Sequence, residues 1–316
     1  MNVSVVIPAY NAMTYLPETL ESVLRQTFTD FEVLIVNDGS SDQIVEWASG
    51  LVDPRVKLIS QENQGSSGAR NTGIAHAQGE YVAFLDADDI WSLTKLEKQV
   101  RCLEDNPAVG LVNTWTVLID QLGKPVGRAG TFQAEGDVWK QIVLGNFLVS
   151  SSVVVRRCCF ETVGVFEPNL VLCEDWDMWI RIASRYSFAV VKEPLAYYRQ
   201  HLNNISKNYT TFLQDSRTVI EKAFESVPSE LLYLRNRSYG YANLYLAWRS
   251  LQSRDYQAVS HFRQQALAHY SQLGYSWDSI RLSIAIAVMH LFGPHAYDRL
   301  RTFLYSLRQR ISSVAQ

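Results

Sequence analysis

Carboxylates crowd at two places in this 316-residue chain. Asp86-Ala87-Asp88-Asp89 follows the apolar run Tyr81–Leu85, and Glu174-Asp175 opens a segment bearing Trp176 and Trp179. Three carboxylates within four residues repel one another and are costly beside a buried strand unless a cation neutralises them. Hard divalent ions prefer such oxygen ligands and bridge to diphosphate oxygens. The alternative, an acidic cap for a helix starting near Ser92, needs only one of the three. At Glu174-Asp175 the helix dipole alone favours acidic residues in a first turn. A carboxylate held there, beside large aromatics that can bind a sugar face, also suits a general base.

Other polar groups gather where apolar runs end. Pro8-Ala9-Tyr10-Asn11 follows the first run and Asn37-Asp38-Gly39-Ser40-Ser41-Asp42 the second. Ligands of open α/β sheets bind outside the carboxyl ends of the strands. Asp38 is placed to hydrogen-bond a polar ring edge and Tyr10 to stack on it; the same residues also read as a turn with a helix cap. Asn63 to Gly73 begins as a small-residue loop and runs into a helix, with Arg70 available to an anion; it is neither a P-loop nor a GxGxxG fingerprint, and an ordinary loop fits equally. Tyr198-Arg199-Gln200-His201 follows a strand end, where a lone His is ordinarily structural unless a metal lies nearby.

The elements that would position these groups alternate. Val3–Ile7, Phe31–Val36, Val56–Ile59 and Tyr81–Leu85 read as strands. Leu16, Leu20, Val23 and Leu24 share one helix face, and Gly68–Ala77 and Leu93–Leu103 also read as helices. Strands that are nearly all apolar predict an α/β fold, a mostly parallel sheet flanked by helices. Further on, Val109–Ile119 and Ser152–Val155 read as strands and Glu174–Tyr186 as a helix. Two more strands, Phe188–Val191 and Leu195–Arg199, flank a turn at Glu193-Pro194. After Lys207 helical periodicity takes over, with helices expected near 210–226, 230–252, 255–272, 276–291 and 295–312. The expected division is 1–206 and an all-α region 207–316. Asp255 to Leu267 loosely matches half of a tetratricopeptide unit without a second copy, so a plain helical bundle is expected.

A formal charge of -3 argues against a protein devoted to nucleic acid. Cys102, Cys158, Cys159 and Cys173 form neither a disulfide framework nor a zinc site. No leader pattern opens the chain, and Leu282–Phe292, interrupted by Ser283 and His290, is too short to span a bilayer. A cytoplasmic protein is expected. From Arg281 onward Arg299, Arg301, Arg308 and Arg310 are opposed only by Asp298, and Ile284, Val288, Leu291, Leu300, Leu304 and Leu307 interleave with them. That pattern fits first a solvated face on a packing helix and second to it a peripheral contact with the inner face of a membrane.

Taken together, six segments resemble the family 2 glycosyltransferases, which have the nucleotide-binding GT-A fold. They are Val5 to Asn11, Val36 to Asp42, Gly68 to Gly73, Phe84 to Asp89, Glu174 to Trp179 and Tyr198 to His201, within roughly 2–206. The resemblance implies that Pro8, Tyr10 and Asp38 line the base and ribose pocket, with Arg70 near the nucleotide or diphosphate. Asp86 would contact the ribose and metal region. Asp88 of the DxD motif would ligate Mn²⁺ or Mg²⁺, with His201 a further ligand. Asp175 would be the catalytic base and Glu174 would orient neighbouring groups. It implies an inverting transfer from a nucleotide sugar, a UDP-sugar before others, to a hydroxyl of a glycan or lipid-linked acceptor in cell-surface glycan synthesis. The Gln-x-x-Arg-Trp motif of processive synthases is absent, so one or few sugars are expected per encounter. Two rivals fit less well. A sugar nucleotidyltransferase would carry a Gly-rich basic loop where Pro8-Ala9-Tyr10-Asn11 stands, and a non-catalytic nucleotide-sugar-binding module would not need both Asp88 and Asp175.

Overall fold

The computed structural model describes residues 2–129, 131–201 and 209–293. In chain order the elements are β1 (Val3–Ala9), α1 (Leu16–Leu24), β2 (Phe31–Asp38), α2 (Ile44–Ser49), β3 (Val56–Gln61), α3 (Gly65–His76) and β4 (Tyr81–Phe84). Then come β5 (Ile90–Trp91), α4 (Lys95–Asp105), β6 (Val109–Ile119), β7 (Pro125–Ala129), α5 (Trp139–Ile142), a 3₁₀ turn at Ser150–Ser152 and β8 (Val154–Arg156). The rest are α6 (Cys158–Val163), α7 (Glu174–Ala183), β9 (Ser187–Arg199), α8 (Tyr209–Phe224), α9 (Tyr233–Gln252), α10 (Tyr256–His269) and α11 (Trp277–Phe292). The expected helix at 295–312, with Asp298, Arg299, Arg301, Arg308 and Arg310, lies outside the described residues.

One nine-stranded sheet runs β3-β2-β1-β4-β8-β6-β9-β5, with β7 on β6. The first four strands are parallel, as expected of nearly all-apolar runs; β1, β2 and β4 are buried, whereas β3, at the end of the sheet, is half-buried. Beyond them β8 runs against both β4 and β6, and β9 is parallel to β6 but antiparallel to β5, so the second half is mixed. The two strands expected around Pro194 are one strand, β9. Its register on β6 shifts at Thr114 and Trp115, opposite Val191 and Pro194. Such an irregularity absorbs a residue that cannot donate to the ladder.

Alternation along β1 sends Val3, Val5, Ile7 and Ala9 into a core shared with Leu16, Leu20 and Val23 of α1 and Leu96, Val100 and Leu103 of α4. Val6 points to the other face, where α3 packs. A Cβ built on Gly73 of α3 would lie 2.2 Å from Val6 Cγ1. Gly73→Ala is therefore expected to cost about 2 kcal/mol or more in stability, read by urea unfolding, because helix and strand must separate.

Helix α3 starts at Gly65, three residues before the expected start. Gly65 has φ +74, which lets the chain turn from β3 directly into the helix. Most of the expected loop is thus helical first turn.

The chain forms two compact units, Met1–Leu234 and Arg235–Gln316. The division falls near the start of α9, later than the expected 206/207, because α8 belongs to the first unit. Asp215 of α8 accepts the N–H groups of Val171 and Leu172 at 2.8 Å, Lys222 pairs with Asp177 at 3.2 Å, and the Phe224 ring meets Trp139. In the second unit Val259, Phe262, Ala266, Leu273, Leu282 and Ala285 are buried. Asp255 caps α10 and Ser276 caps α11.

Candidate functional site

The loops after β1 and β2 are tied together. Asn11, at φ 49, accepts the Ser41 N–H at 2.8 Å on its side-chain oxygen and donates its own N–H to Ser40 Oγ. Asn is among the few residues that tolerate this left-handed backbone. Register pairs Pro8 with Val36 and Ala9 with Asn37, so Tyr10 and Asp38 stand at neighbouring strand ends. Tyr10 is 58% exposed, Pro8 is half-buried and Asp38 is buried. Asp38 Oδ1 accepts from Gln61 Nε2 at 2.7 Å and from the Gln64 N–H at 2.9 Å, which fixes the carboxylate; among the described residues its Oδ2 accepts nothing.

Arg70 joins two of the other expected site residues. Its guanidinium is buried, with one nitrogen 2.7 Å from Glu174 Oε1 and another 2.8 Å from Asp86 Oδ1. Burial alone would push this group down, but Asp86 and Glu174 hold it above its usual range. Ser66 donates to the same Glu174 oxygen at 3.1 Å. Arg70 therefore clamps the start of α7 to the turn after β4.

That turn does not cap α4, which begins at Lys95 beyond the short strand β5. Its three carboxylates have different partners. Asp89 is fully buried, accepts the Arg199 N–H at 2.9 Å and the Ser151 hydroxyl, and is pushed well up by burial and then by Asp88 and Asp86. Asp88 is partly exposed and lies 2.7 Å (Oδ2) from His201 Nε2. Burial and then Asp86 push the Asp88 carboxyl up, against the pull of His201. His201 stacks on Tyr15.

Asp88 and His201 fit a divalent ion. Two ligands on adjacent corners of an octahedron with bonds of about 2.1 Å stand about 3 Å apart, close to the separation of these two atoms. The repelling Asp86–Asp88 pair favours a cation. Among the described residues no group of three or more His, Cys, Asp or Glu could hold a metal. An ion here would need further oxygens from its ligand, as Mg²⁺ bound through substrate phosphates does.

Asp175 sits one residue into α7. It accepts from Asn146 Nδ2 at 2.9 Å and from the Trp176 N–H at 2.7 Å, with Ser150 Oγ at 3.5 Å. Burial and then Glu174 push it up to about 7, although Arg70, Asn146 and the Trp176 amide pull the other way. Trp176 and Trp179 do not face a ligand: both are buried, Trp179 against Phe84 and Phe166. The α7 face that carries them is its core face. The exposed aromatic surface near Asp175 is instead Phe147, 43% exposed, next to Asn146 and stacked on Phe132.

Several contributors were not singled out by sequence. The turn Ser150–Ser152 links the two carboxylate groups: Ser150 faces Asp175, while Ser151 binds Asp89 and takes the Asp86 N–H. Trp91 donates to Ser151 O and Gln99 to Ser152 O, which holds this turn on α4 and β5. Arg199 is fully buried and donates to Asp88 O at 2.7 Å and Glu18 Oε2 at 2.7 Å, bracing the acidic turn from behind. A charged residue inside the run Leu195–Arg199 was the available signal. Lys95 is fully buried with its ammonium 4.0 Å from the Trp91 ring centre and without a hydrogen bond among the described residues; burial pushes it well down. All four cysteines are unpaired.

The sequence profile described as Glycosyl transferase family 2 matches residues 4–141. An uncharacterized glycosyltransferase of Nostoc is 34% identical over 235 residues, covering 69% of this chain and 71% of that protein. The Escherichia coli protein WfgD, named as a UDP-Glc:alpha-D-GlcNAc-diphosphoundecaprenol beta-1,3-glucosyltransferase, is 29% identical over 237 residues (74% of this chain, 91% of WfgD). An uncharacterized glycosyltransferase of Rickettsia felis is 33% identical over 263 residues, 81% of this chain; the chain spans only 42% of that relative. Among solved structures, the Pyrobaculum calidifontis mannosyltransferase PcManGT, in complex with GDP-Man and Mn²⁺, superposes with TM-score 0.62 at 19% identity, over 99% of this chain and 87% of that one. Staphylococcus aureus TarS 1-349 with UDP-GlcNAc gives 0.59 at 17% identity, over 86% and 92%. These two share the GT-A fold seen here. With its first strands, the loops after β1 and β2 and the carboxylate turn inside the matched region, the chain belongs to glycosyltransferase family 2.

Proposed function

We propose that this chain transfers a hexosyl group from a UDP-sugar to a hydroxyl of a lipid-linked glycan acceptor, with inversion, one sugar per encounter. The observation that carries this reading is the Arg70 clamp, which draws Asp175 on α7 toward the turn bearing Asp86 and Asp88. WfgD, named for UDP-Glc and a diphosphoundecaprenol acceptor, and TarS, bound to UDP-GlcNAc, support the choice of substrates. An acceptor on such a lipid puts the reaction at a membrane surface, in the assembly of a cell-surface glycan.

In this reading Asp38 Oδ2 accepts an N–H of the base, Tyr10 stacks on the ring, Pro8 walls the pocket and Asp86 takes the ribose hydroxyls. Asp88 and His201 would hold Mn²⁺ or Mg²⁺, which supplies positive charge against that developing on the leaving diphosphate. Asp175 accepts the acceptor's proton as the hydroxyl oxygen attacks the anomeric carbon; the bond to the diphosphate oxygen breaks, and the nucleoside diphosphate leaves with that electron pair. One displacement inverts the anomeric centre, through a transition state of oxocarbenium character. Glu174 acts through Arg70 as a positioning residue, and Phe147 offers the acceptor sugar an apolar face.

A panel of nucleotide sugars, each assayed for Mn²⁺-stimulated release of nucleoside diphosphate, tests the reading; silence across the panel refutes it. Asp88→Ala is expected to weaken metal-dependent donor binding by about 10–100-fold and leave metal-free UDP binding unchanged. Activity that persists in EDTA would remove the metal from the scheme.

A further inference from the structure

The two units carry opposite charge. Arg235–Gln316 has ten arginines, no lysine, no glutamate and three aspartates, a formal +7, whereas Met1–Leu234 stands at -10. The chain's overall -3 hides this division. Strong charge asymmetry between parts of a chain points to an anionic partner for the basic part.

The same unit presents an apolar face. Leu282 and Ala285 bury one side of α11. On the opposite side Trp277, Ile280, Ile284 and Leu291 recur at steps of three, four and seven, the spacing of a single helix stripe. All four are exposed, Trp277 by 69%, Ile284 by 53% and Leu291 by 75%. Phe292 and, just before the helix, Tyr275 extend the exposed apolar surface. A surface helix ordinarily turns polar residues outward, so a contiguous outward stripe marks a contact face.

We infer that this face of α11 lies in the interfacial plane of an anionic lipid bilayer. The helix cannot cross one: its 16 residues make about 24 Å, against a hydrocarbon core of about 30 Å, and no described helix is long and apolar enough to span. Lying flat, it buries the stripe at the depth of the headgroups and first methylenes, where Trp and Tyr rings are favoured. The unit's arginines supply attraction to lipid phosphates, which their planar guanidinium groups match in geometry. Arg281 flanks the stripe, one turn from Trp277. A second copy of the chain is the poorer occupant, because two units at +7 repel. The inference stands on the second unit alone and does not depend on the transferase reading.

Flotation of the full chain with vesicles of phosphatidylglycerol and phosphatidylethanolamine, against pure phosphatidylcholine, tests it. At least about tenfold stronger binding to the anionic vesicles is expected, weakened by 0.5 M NaCl. The double variant Ile284→Glu/Leu291→Glu is expected to lose at least about tenfold in binding with an unchanged melting curve. Leu291→Glu alone, at the more exposed position, gives a milder variant in which the same direction must appear. Absent binding, equal binding to both vesicle types, or binding indifferent to these substitutions overturns the inference. So does a wild-type dimer by light scattering that the double variant converts to monomer, since the stripe then belongs to a second copy. Nucleotide-sugar cleavage in the absence of vesicles should not change in either variant, so loss of membrane binding is separable from failure of the first unit.

Discussion

Asp175→Asn is expected to lower turnover by at least about 10²-fold, on the usual magnitude of general-base catalysis, while nucleotide-sugar affinity stays near that of the parent. The asparagine keeps the shape and can still accept from Asn146 Nδ2 on its amide oxygen, but it cannot take a proton. The parent enzyme should show the titration directly. With Asp175 pushed up to about 7 by burial and then Glu174, the free enzyme gains its ionised base as pH rises through 7. kcat/KM is thus expected to climb through that value and level off above it. Near-normal turnover in the asparagine variant, or a profile flat from pH 5 to 8, would remove Asp175 from the reaction.

A second readout follows from linkage. A carboxyl whose pKa is higher folded than unfolded contributes most to stability below its unfolded value, and that contribution is lost as pH rises through the folded value. Here the window runs from the ordinary 3.8 to about 7. Asp175→Asn should therefore gain on the parent as pH increases, by roughly 2 kcal/mol between pH 5 and pH 8. Urea unfolding at the two pH values measures it. A variant that is less active and more stable at high pH is the signature of a charge held for chemistry at the expense of the fold.

Arg70→Met is expected to be the most damaging single change for stability. It leaves Glu174 and Asp86 facing each other's surroundings without a counter-charge, a loss of about 3–5 kcal/mol for a broken buried pair. It also removes a cation that lowers Asp175, so the rise in kcat/KM should move to higher pH. If Arg70→Met does not accumulate folded, Arg70→Lys keeps the charge but loses the two-pronged geometry. That variant should keep the acid limb near 7 and lose activity. A parental rate in Arg70→Lys would show that the clamp does not position α7.

Much of the first unit was legible before folding because its signals are local. The runs of β1, β2 and β4 are nearly all apolar, and that alone predicts strands covered on both faces, whereas β3, at the end of the sheet, carries Lys57, Ser60 and Gln61 and is only half-buried. The acidic turn, the two tied loops and the start of α7 were each named from residue type and spacing. Trp176 and Trp179 show the limit of such reading. Their spacing on α7 was seen, but which face of α7 meets the core depends on Phe84 and Phe166, far away in sequence. The start of α3 was missed for a smaller reason: a glycine that opens a helix looks, in sequence, like a glycine in a loop.

The place of α8 was equally hidden. Its helical period is visible from residue 209 on, yet its membership in the first unit rests on Asp215, Lys222 and Phe224 finding partners between residues 139 and 177. The charge division between the units needed only counting once the boundary was known, whereas the exposed stripe of α11 required knowing which side of that helix is buried.

Sequence alone determined the family, since a carboxylate pair, a strand-end aspartate and a helix-start carboxylate are written in contiguous segments whose residue types suffice. Tertiary structure decided how these segments meet. Arg70 spans Asp86 and Glu174 across about a hundred residues of chain, and Ser150–Ser152 stitches the two acidic sites from a third segment. Contacts of that length depend on sheet order and packing, which no local pattern encodes, because each is selected by burial of the whole rather than by the residues that touch.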